Sequence, residues 1–383
     1  MSDESTNPTD APETEADGGK TLGGSASENT VTRLRTRWEG ARDREVTVIG
    51  LTIVGVAVFP YLFARAPVVS DLLQGYQELA SLMLVWGIFA IGFDILLGRT
   101  GLLSFGHAAL WGTGAYAAGW ASANITEFPL LVVLIGVSVT VVLSVVLGFL
   151  SLRRGGIYFA ILTLAFAQMI YYMASAPLSF ITGGDNGFTG VEIGSFLGVF
   201  DLGTELPSIA GTLIGTWRYA FIGAFLVFSV AAIHRVLNSP YGIVFRAIRE
   251  NEQRAQFVGF NVWRYKLAAF VLSGTFAGLA GALFTIHGQY VPLSSLYWQT
   301  SGEVVIMTVL GGVGSLLGPL FGAGIYLWVE YIVSGGYPFE WIAPYWLLVL
   351  GLVFVSVVVL FPEGVWGLVG DLRRRVATRL EEQ

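Results

Sequence analysis

An all-α polytopic membrane protein with about ten transmembrane helices is the fold class this sequence predicts. Three observations carry it. Charged residues are only 13% of the 383, about half the ~25% of a soluble domain. Several apolar stretches reach the roughly 20 helical residues that a ~30 Å hydrocarbon layer demands. The 49 glycines and 14% aromatics fit helices that approach closely and carry interfacial Trp and Tyr.

The elements follow in order. Residues 1–30 hold seven acidic side chains against Lys20 alone and show no apolar periodicity, so a disordered acidic tail is expected. It contains no apolar signal-peptide core. Gly19-Lys20-Thr21 resembles the end of a phosphate-binding loop, but Thr14 stands where the first glycine belongs and no strand precedes it. Residues 31–45 form a basic juxtamembrane segment. The membrane domain spans 46–361, with apolar segments at 46–64, 76–98, 101–121, 129–150, 155–175, 219–234, 267–286, 302–313, 315–333 and 343–361. A basic tail, 362–383, closes the chain.

Ten crossings put both termini on one side, and charge tests the count. With the N-terminus inside, nineteen of the twenty-one basic residues face inward, and only Arg65 and Arg218 face out. That bias is what the positive-inside rule demands. Eight crossings with two re-entrant loops would give the same orientation.

Two zones strain this scheme. Residues 98–101 and 313–315 leave almost no room for a turn, and 302–313 spans only about 18 Å as a helix. Irregular backbone at membrane depth needs protein or water around it, so both zones belong inside the bundle. They also match each other. Leu97-Gly98-Arg99-Thr100-Gly101 parallels Leu310-Gly311-Gly312-Val313-Gly314, and Gly112-Thr113-Gly114-Ala115-Tyr116 parallels Gly322-Ala323-Gly324-Ile325-Tyr326. Paired glycine-interrupted segments point to an internal repeat flanking a substrate route. Glycines that only permit close helix packing are the alternative. The long outer loop at 176–218, with Asp185, Glu192, Asp201 and Glu205, reads either as a docking surface or lid or as a plain connector.

Catalytic chemistry finds little footing. His107, His234 and His287 are scattered, no metal-binding or nucleophile motif is present, and cysteine is absent. Asp94 and Glu303 are the acidic candidates at membrane depth, with His107 and Gln168 as further polar groups. The sequence favours Asp94 paired with Arg99 near the inner surface, and Glu303 hydrated at the outer start of its segment. Without a ladder of buried carboxylates, the energy for transport must come from elsewhere.

Attention then falls on the cytoplasmic loop 235–266. Pro240 and Gly242 punctuate it, and a helix-compatible stretch follows through Arg246, Ala247, Ile248, Arg249, Glu250, Asn251 and Arg254. Ala247, Ile248, Ala255, Phe257 and Val258 give that stretch an apolar side. Gly259 is a left-handed stop, and Arg264 and Lys266 anchor the next membrane helix. An amphipathic helix on anionic lipid is one reading. Glu250 and Glu252 favour a protein socket instead.

These residues resemble a known family. The run FRAIRENEQRAQFVGFNVWRYKLAAFVLSGTFAGLAGALF, from Phe245 to Phe284, is similar to the cytoplasmic loop and following helix of ABC-importer permeases, in particular the M-type subunit of the branched-chain amino acid class (LIV/HAAT), close to the urea-type permeases. Leu102 through His107 to Tyr116, LTLAFAQ at 162–168, ITGGDNG at 181–187, VLGGVGSLLGPLFGA at 309–323 and FPEGVWGLV at 361–369 fit the same family. Two positions depart from its pattern: Ile243 and Glu363 stand where basic residues are usual. The resemblance implies a large-bundle importer fold and a transport subunit rather than an enzyme. It also implies partners: two ATP-binding cassette subunits carrying ATP and Mg, a shorter H-type permease and an external substrate-binding protein. This chain itself is expected to bind no cofactor, metal or nucleic acid. By the same resemblance, Arg246–Arg254 with Gly259 couples to the ATPase. The substrate path would run past Ser104, Phe105, Gly106, His107, Gly112, Gly114, Gln168, Gly311, Gly312 and Gly314, with a structural role for His107 as the alternative. Branched-chain amino acids lead as substrate, urea or short-chain amides follow, and an ion-coupled carrier or channel is the reading from a different class.

Overall fold

All ten apolar segments are helical in the computed structural model, which describes residues 46–66, 75–196, 200–337, 340–361 and 364–367. The expectations for 1–45, for Glu363 and for most of the C-terminal tail lie outside these residues. The membrane helices are α1 (Val46–Ala64), α2 (Gln77–Thr100), α3 (His107–Asn124), α4 (Pro129–Ser151) and α5 (Ile157–Ser175). After the short α6 (Ser179–Thr182) and α7 (Ser208–Leu213) comes α8 (Trp217–Leu237). The loop that follows folds as α9 (Pro240–Glu250) and α10 (Glu252–Phe257), and α11 (Val262–Gly288), α12 (Trp298–Gly311), α13 (Gly318–Ser334) and α14 (Trp346–Leu360) come after it.

Seven of these segments are long and apolar enough to cross a membrane alone: α1, α2, α4, α5, α8, α11 and the segment containing α14. The other three differ for physical reasons. At 1.5 Å per residue, the 14 residues of α12 and the 17 of α13 fall short of a ~30 Å layer. The third, α3, is long enough but is mostly Ala, Gly and polar residues, with thirteen of its eighteen buried. A helix sheathed by protein has no lipid to satisfy, so it can spend its surface on close packing.

Burial arranges the layers. α2 is almost wholly enclosed, α11 largely so, and α14, α1 and α5 are mostly open on the isolated chain. α11 packs along α2, α3 and α4. Its crossing with α3 is a backbone contact: a Cβ on Gly114 would lie 2.5 Å from the Gly278 carbonyl oxygen and 2.7 Å from its Cα. Only glycine permits that approach. Buried hydroxyls add bonds across the helices, such as Thr285 Oγ1 donating to the Ala115 carbonyl at 2.9 Å.

The bundle has a basic end, where 98–101, 153–154 and the 235–266 loop gather, and an opposite end that carries the long loop. That loop is fastened. Phe188 pairs with Val291 and Glu205 with Thr216, and the Gly194 N–H donates to Glu127 at 2.9 Å. Arg65, one of the two arginines that the charge count leaves outside, reaches Glu205 at 3.3 Å. The other, Arg218, lies 3.7 Å from Glu78 and donates to the His287 carbonyl at 3.1 Å, tying the starts of α2 and α8 to the end of α11.

Candidate functional site

The stretch expected to couple to the ATPase breaks where the sequence suggested continuity. α9 stops at Asn251, whose backbone is extended and whose side chain accepts the Arg254 N–H at 2.9 Å to start α10. Asn competes with the helix by bonding its own backbone, which favours caps over helix interiors. Val244, Ile248, Ala255 and Val262 then close a small buried core between the two helices and α11. Phe257 and Val258, expected on the same apolar side, point outward and are 90% and 71% exposed. Gly259 turns the chain with φ +97°. Lys266 folds back onto Glu252 at 2.7 Å and is nearly buried, so it braces α10 against α11. With Glu252 about half exposed, water screens the pair and it is worth about 1 kcal/mol. A double-mutant cycle on Glu252→Gln and Lys266→Met, read by thermal unfolding, should return a coupling of that size.

The arginines of α9 divide the work. Arg246 donates to the Gly242 and Leu237 carbonyls at 3.4 and 3.5 Å, holding α9 against the end of α8. Arg249 reaches into the bundle, where its guanidinium donates to the Gly98 carbonyl. The same guanidinium lies 3.1 Å from where a Cβ on Gly314 would stand, and the Arg249 stem borders Gly101. Asp94 completes the knot. Its carboxylate accepts the Gly314 N–H at 2.8 Å, and a Cβ on Gly98 would collide with it. The sequence favoured Arg99 as partner for Asp94; the bond formed is to the backbone of the other half of the chain, with Arg99 and Arg249 both within electrostatic reach.

The two glycine zones that match in sequence therefore meet in space. Each consists of a helix end, a break of six residues and a new helix: α2 to α3 across 101–106, and α12 to α13 across 312–317. Gly101 and Gly314 take φ +73° and +84°, a conformation costly for any residue with a Cβ. The second break is also covered by the C-terminal motif. Gly364 rests on the Gly312 backbone and Trp366 stacks on Phe321 at 5.2 Å. The Gly311 backbone, in turn, abuts Gly318 and Pro319.

The remaining path candidates sit deeper. His107 opens α3 and is fully buried, with Nδ1 3.1 Å from Ser104 Oγ and Nε2 2.8 Å from Ser273 Oγ. Phe93 and Phe270 meet its ring edge-on. Ser104 also accepts the Gly106 N–H, Ser301 the Ala108 N–H at 2.7 Å, and Thr163 the Phe105 N–H at 3.2 Å. These hydroxyls satisfy the donors that a helix start leaves open inside a membrane. Gly106 presses on Thr163 and Gly112 on Leu296. Gln168 is half-buried, with its Oε1 enclosed and unpartnered. As placed, His107 is a cross-link between α3 and α11. Ser273→Ala should cost about 1–3 kcal/mol by orphaning the ring nitrogen; an unchanged melting temperature in detergent would dismiss that role.

Ser273, Ser301 and Thr163 were not singled out in the sequence, because a lone hydroxyl in an apolar helix carries no pattern. The available signal was their place on the faces of helices that must turn inward.

The sequence has counterparts among known proteins. The sequence profile of the family described as "Branched-chain amino acid transport system / permease component" matches residues 75–358. The high-affinity branched-chain amino acid transport system permease protein LivM of Salmonella typhimurium (strain LT2) is 27% identical over 343 residues, covering 84% of this chain and 74% of that protein. The probable LivM of Methanocaldococcus jannaschii is 25% identical over 308 residues, 74% of this chain and 83% of its own. The probable LivH of the same organism is 29% identical over 121 residues, 30% of this chain and 36% of its own. No solved structure matches.

Proposed function

The chain belongs to the family of branched-chain amino acid transport system permease components, and on that premise we propose that it is the M-type membrane subunit of an ATP-driven importer for branched-chain amino acids. It pairs with an H-type permease, receives substrate from an external binding protein and docks two ATP-binding cassette subunits that hold the ATP and Mg. The basic end faces the cytoplasm, as the distribution of arginine requires, and both termini lie there.

The observation that carries this reading is Arg249. A rigid element outside the membrane, α9, sends one side chain into the place where both glycine breaks meet. A force applied to α9–α10 by a partner therefore reaches α2–α3 and α12–α13 together. The exposed Phe257 and Val258 give that partner an apolar grip at the tip of the loop. Ile243 sits exposed near the start of α9, so the departure from the family pattern changes surface chemistry and leaves the packing alone.

Reconstitution tests the proposal. The chain co-purified with its ATPase and H-type subunits should import labelled leucine in an ATP- and receptor-dependent manner. Leucine import by the chain alone in ATP-free liposomes would overturn it, and receptor-dependent import of urea in place of leucine would replace the substrate.

A further inference from the structure

The turn between α4 and α5, at the basic end of the bundle, carries two arginines that the fold leaves unused. Arg153 and Arg154 are exposed, and among the described residues neither pairs with a carboxylate nor donates a side-chain hydrogen bond. Arg153 is nevertheless held. Its guanidinium carbon lies 4.9 Å from the centre of the Phe149 ring, one turn back on the chain, and Trp263 of α11 meets the same ring edge-on at 5.6 Å. A cation over a phenyl face is attracted to it and keeps its N–H donors for another partner. A Cβ on Gly155 or Gly156 would meet nothing within 4 Å, so the space beside those donors is open.

The surface leading to the turn is apolar. Val142, Val145, Val146 and Phe149 are exposed at i, i+3, i+4 and i+7 of α4, a single stripe along the helix, and Arg153 prolongs it by another turn. Tyr158 and Ile161 are exposed three residues apart on α5. A stripe of this kind on a membrane helix lies against acyl chains, and a charged end to it falls at headgroup level. What meets two unpaired guanidinium groups there must be anionic. A second membrane subunit complements them poorly, since its own turns at that level would be basic by the same charge rule. A phospholipid phosphate is the anion which that level supplies, and the planar guanidinium fork matches its oxygens. A zwitterionic headgroup also brings an ammonium group, which the same arginines repel.

We propose that Arg153 and Arg154 form a headgroup site for an anionic phospholipid in the leaflet at the basic end of the bundle. Phe149 and Trp263 fix Arg153 in place, and an acyl chain of the lipid runs along the α4 stripe. The site does not depend on which substrate the chain imports.

Photocrosslinking tests it on the full-length chain with its co-purifying subunits, in vesicles of equimolar phosphatidylglycerol and phosphatidylcholine with identical acyl chains. Benzoylphenylalanine replaces Tyr158, which is 70% exposed beside the turn, and mass spectrometry identifies what it captures. At about fivefold per arginine, phosphatidylglycerol should exceed phosphatidylcholine by about 30-fold at low salt. Arg153→Gln and Arg154→Gln should each lower that preference about fivefold, and the double variant should leave the two lipids near parity. Arg153→Lys combined with Arg154→Lys keeps the charge and should retain most of the preference. Salt of about 1 M, where the screening length is about 3 Å, should reduce the wild-type preference severalfold without any substitution. If the Gln variants fail to assemble, that salt series decides. Equal capture of both lipids by the wild type, a preference unchanged in the double Gln variant or in high salt, or capture of a protein subunit in place of lipid would each overturn the site. Loss of the preference in millimolar inorganic phosphate at constant ionic strength would do so as well, by revealing a pocket for soluble anions.

Discussion

The Arg249→Glu variant of the assembled importer should hydrolyse ATP at close to the wild-type rate and move roughly 10- to 150-fold less substrate. The figure comes from the bond it removes. A hydrogen bond to a charged group is worth about 1.5–3 kcal/mol, and each ~1.4 kcal/mol is a factor of ten in the equilibrium it biases. Reversal also sets a carboxylate against Asp94, so the link is broken and the neighbours repel. Arg249→Gln keeps a donor without the charge and should fall between. Paired measurement of phosphate release and leucine uptake in proteoliposomes reads the effect. If both rates fall together, Arg249 serves docking or folding; if neither changes, the knot at Gly98 and Gly314 plays no part in coupling. Arg246→Glu is the companion experiment. Arg246 bonds to the end of α8, so its reversal should loosen α9 without touching the glycine breaks and uncouple less severely.

The second large effect concerns folding. Gly114→Val should lose at least about 1–3 kcal/mol, the usual cost of overpacking, because the clash is with Gly278 backbone and no side chain can swing aside. At about 2–4 °C per kcal/mol for a chain of this order, the melting temperature should drop by several degrees, with fewer molecules in the monodisperse peak. Gly324→Ala is the control. Gly324 is the counterpart of Gly114 in the matched segments, yet nothing lies within 4 Å of its would-be Cβ in this chain. That variant should fold like the wild type. Equal losses from the two substitutions would mean that the α3–α11 crossing is looser than a backbone contact between Gly114 and Gly278.

The contrast between these two glycines shows what the sequence could tell. Every apolar segment proved helical, because a run of apolar residues bounded by charge has few other options at this length. The short 302–313 stretch was legible as unable to span, and α12 is indeed only 14 residues. The two glycine zones were legible as a pair. Their meeting was not, since it depends on Asp94 accepting from a backbone amide 220 residues away, and a backbone donor leaves no mark in sequence. For the same reason the Arg99 partner looked attractive: one turn away is the only distance a sequence shows directly. The break at Asn251 was missed because Asn is tolerated within helices and becomes a cap only when the next turn can be packed, here by Ala255 against Ile248 and Val262. His107 stood out as a polar residue at depth with Ser104 beside it in sequence, but Ser273, at its other nitrogen, comes from 166 residues away.

The low hydropathy of α3 has a consequence for how the protein is made. A helix of Ala, Gly, His and Asn gains little by partitioning into lipid on its own, and its principal partner, α11, begins about 140 residues later in the chain. At ~5–20 residues per second, translation needs roughly ten seconds or more to deliver it. During that interval α3 must be sheltered by the insertion machinery or by α2 and α4, which emerge beside it. Membrane integration of α3 is therefore a cooperative event that waits for α11, and a ribosome stalled before Val262 should leave α3 open to protease while α2 and α4 are already protected.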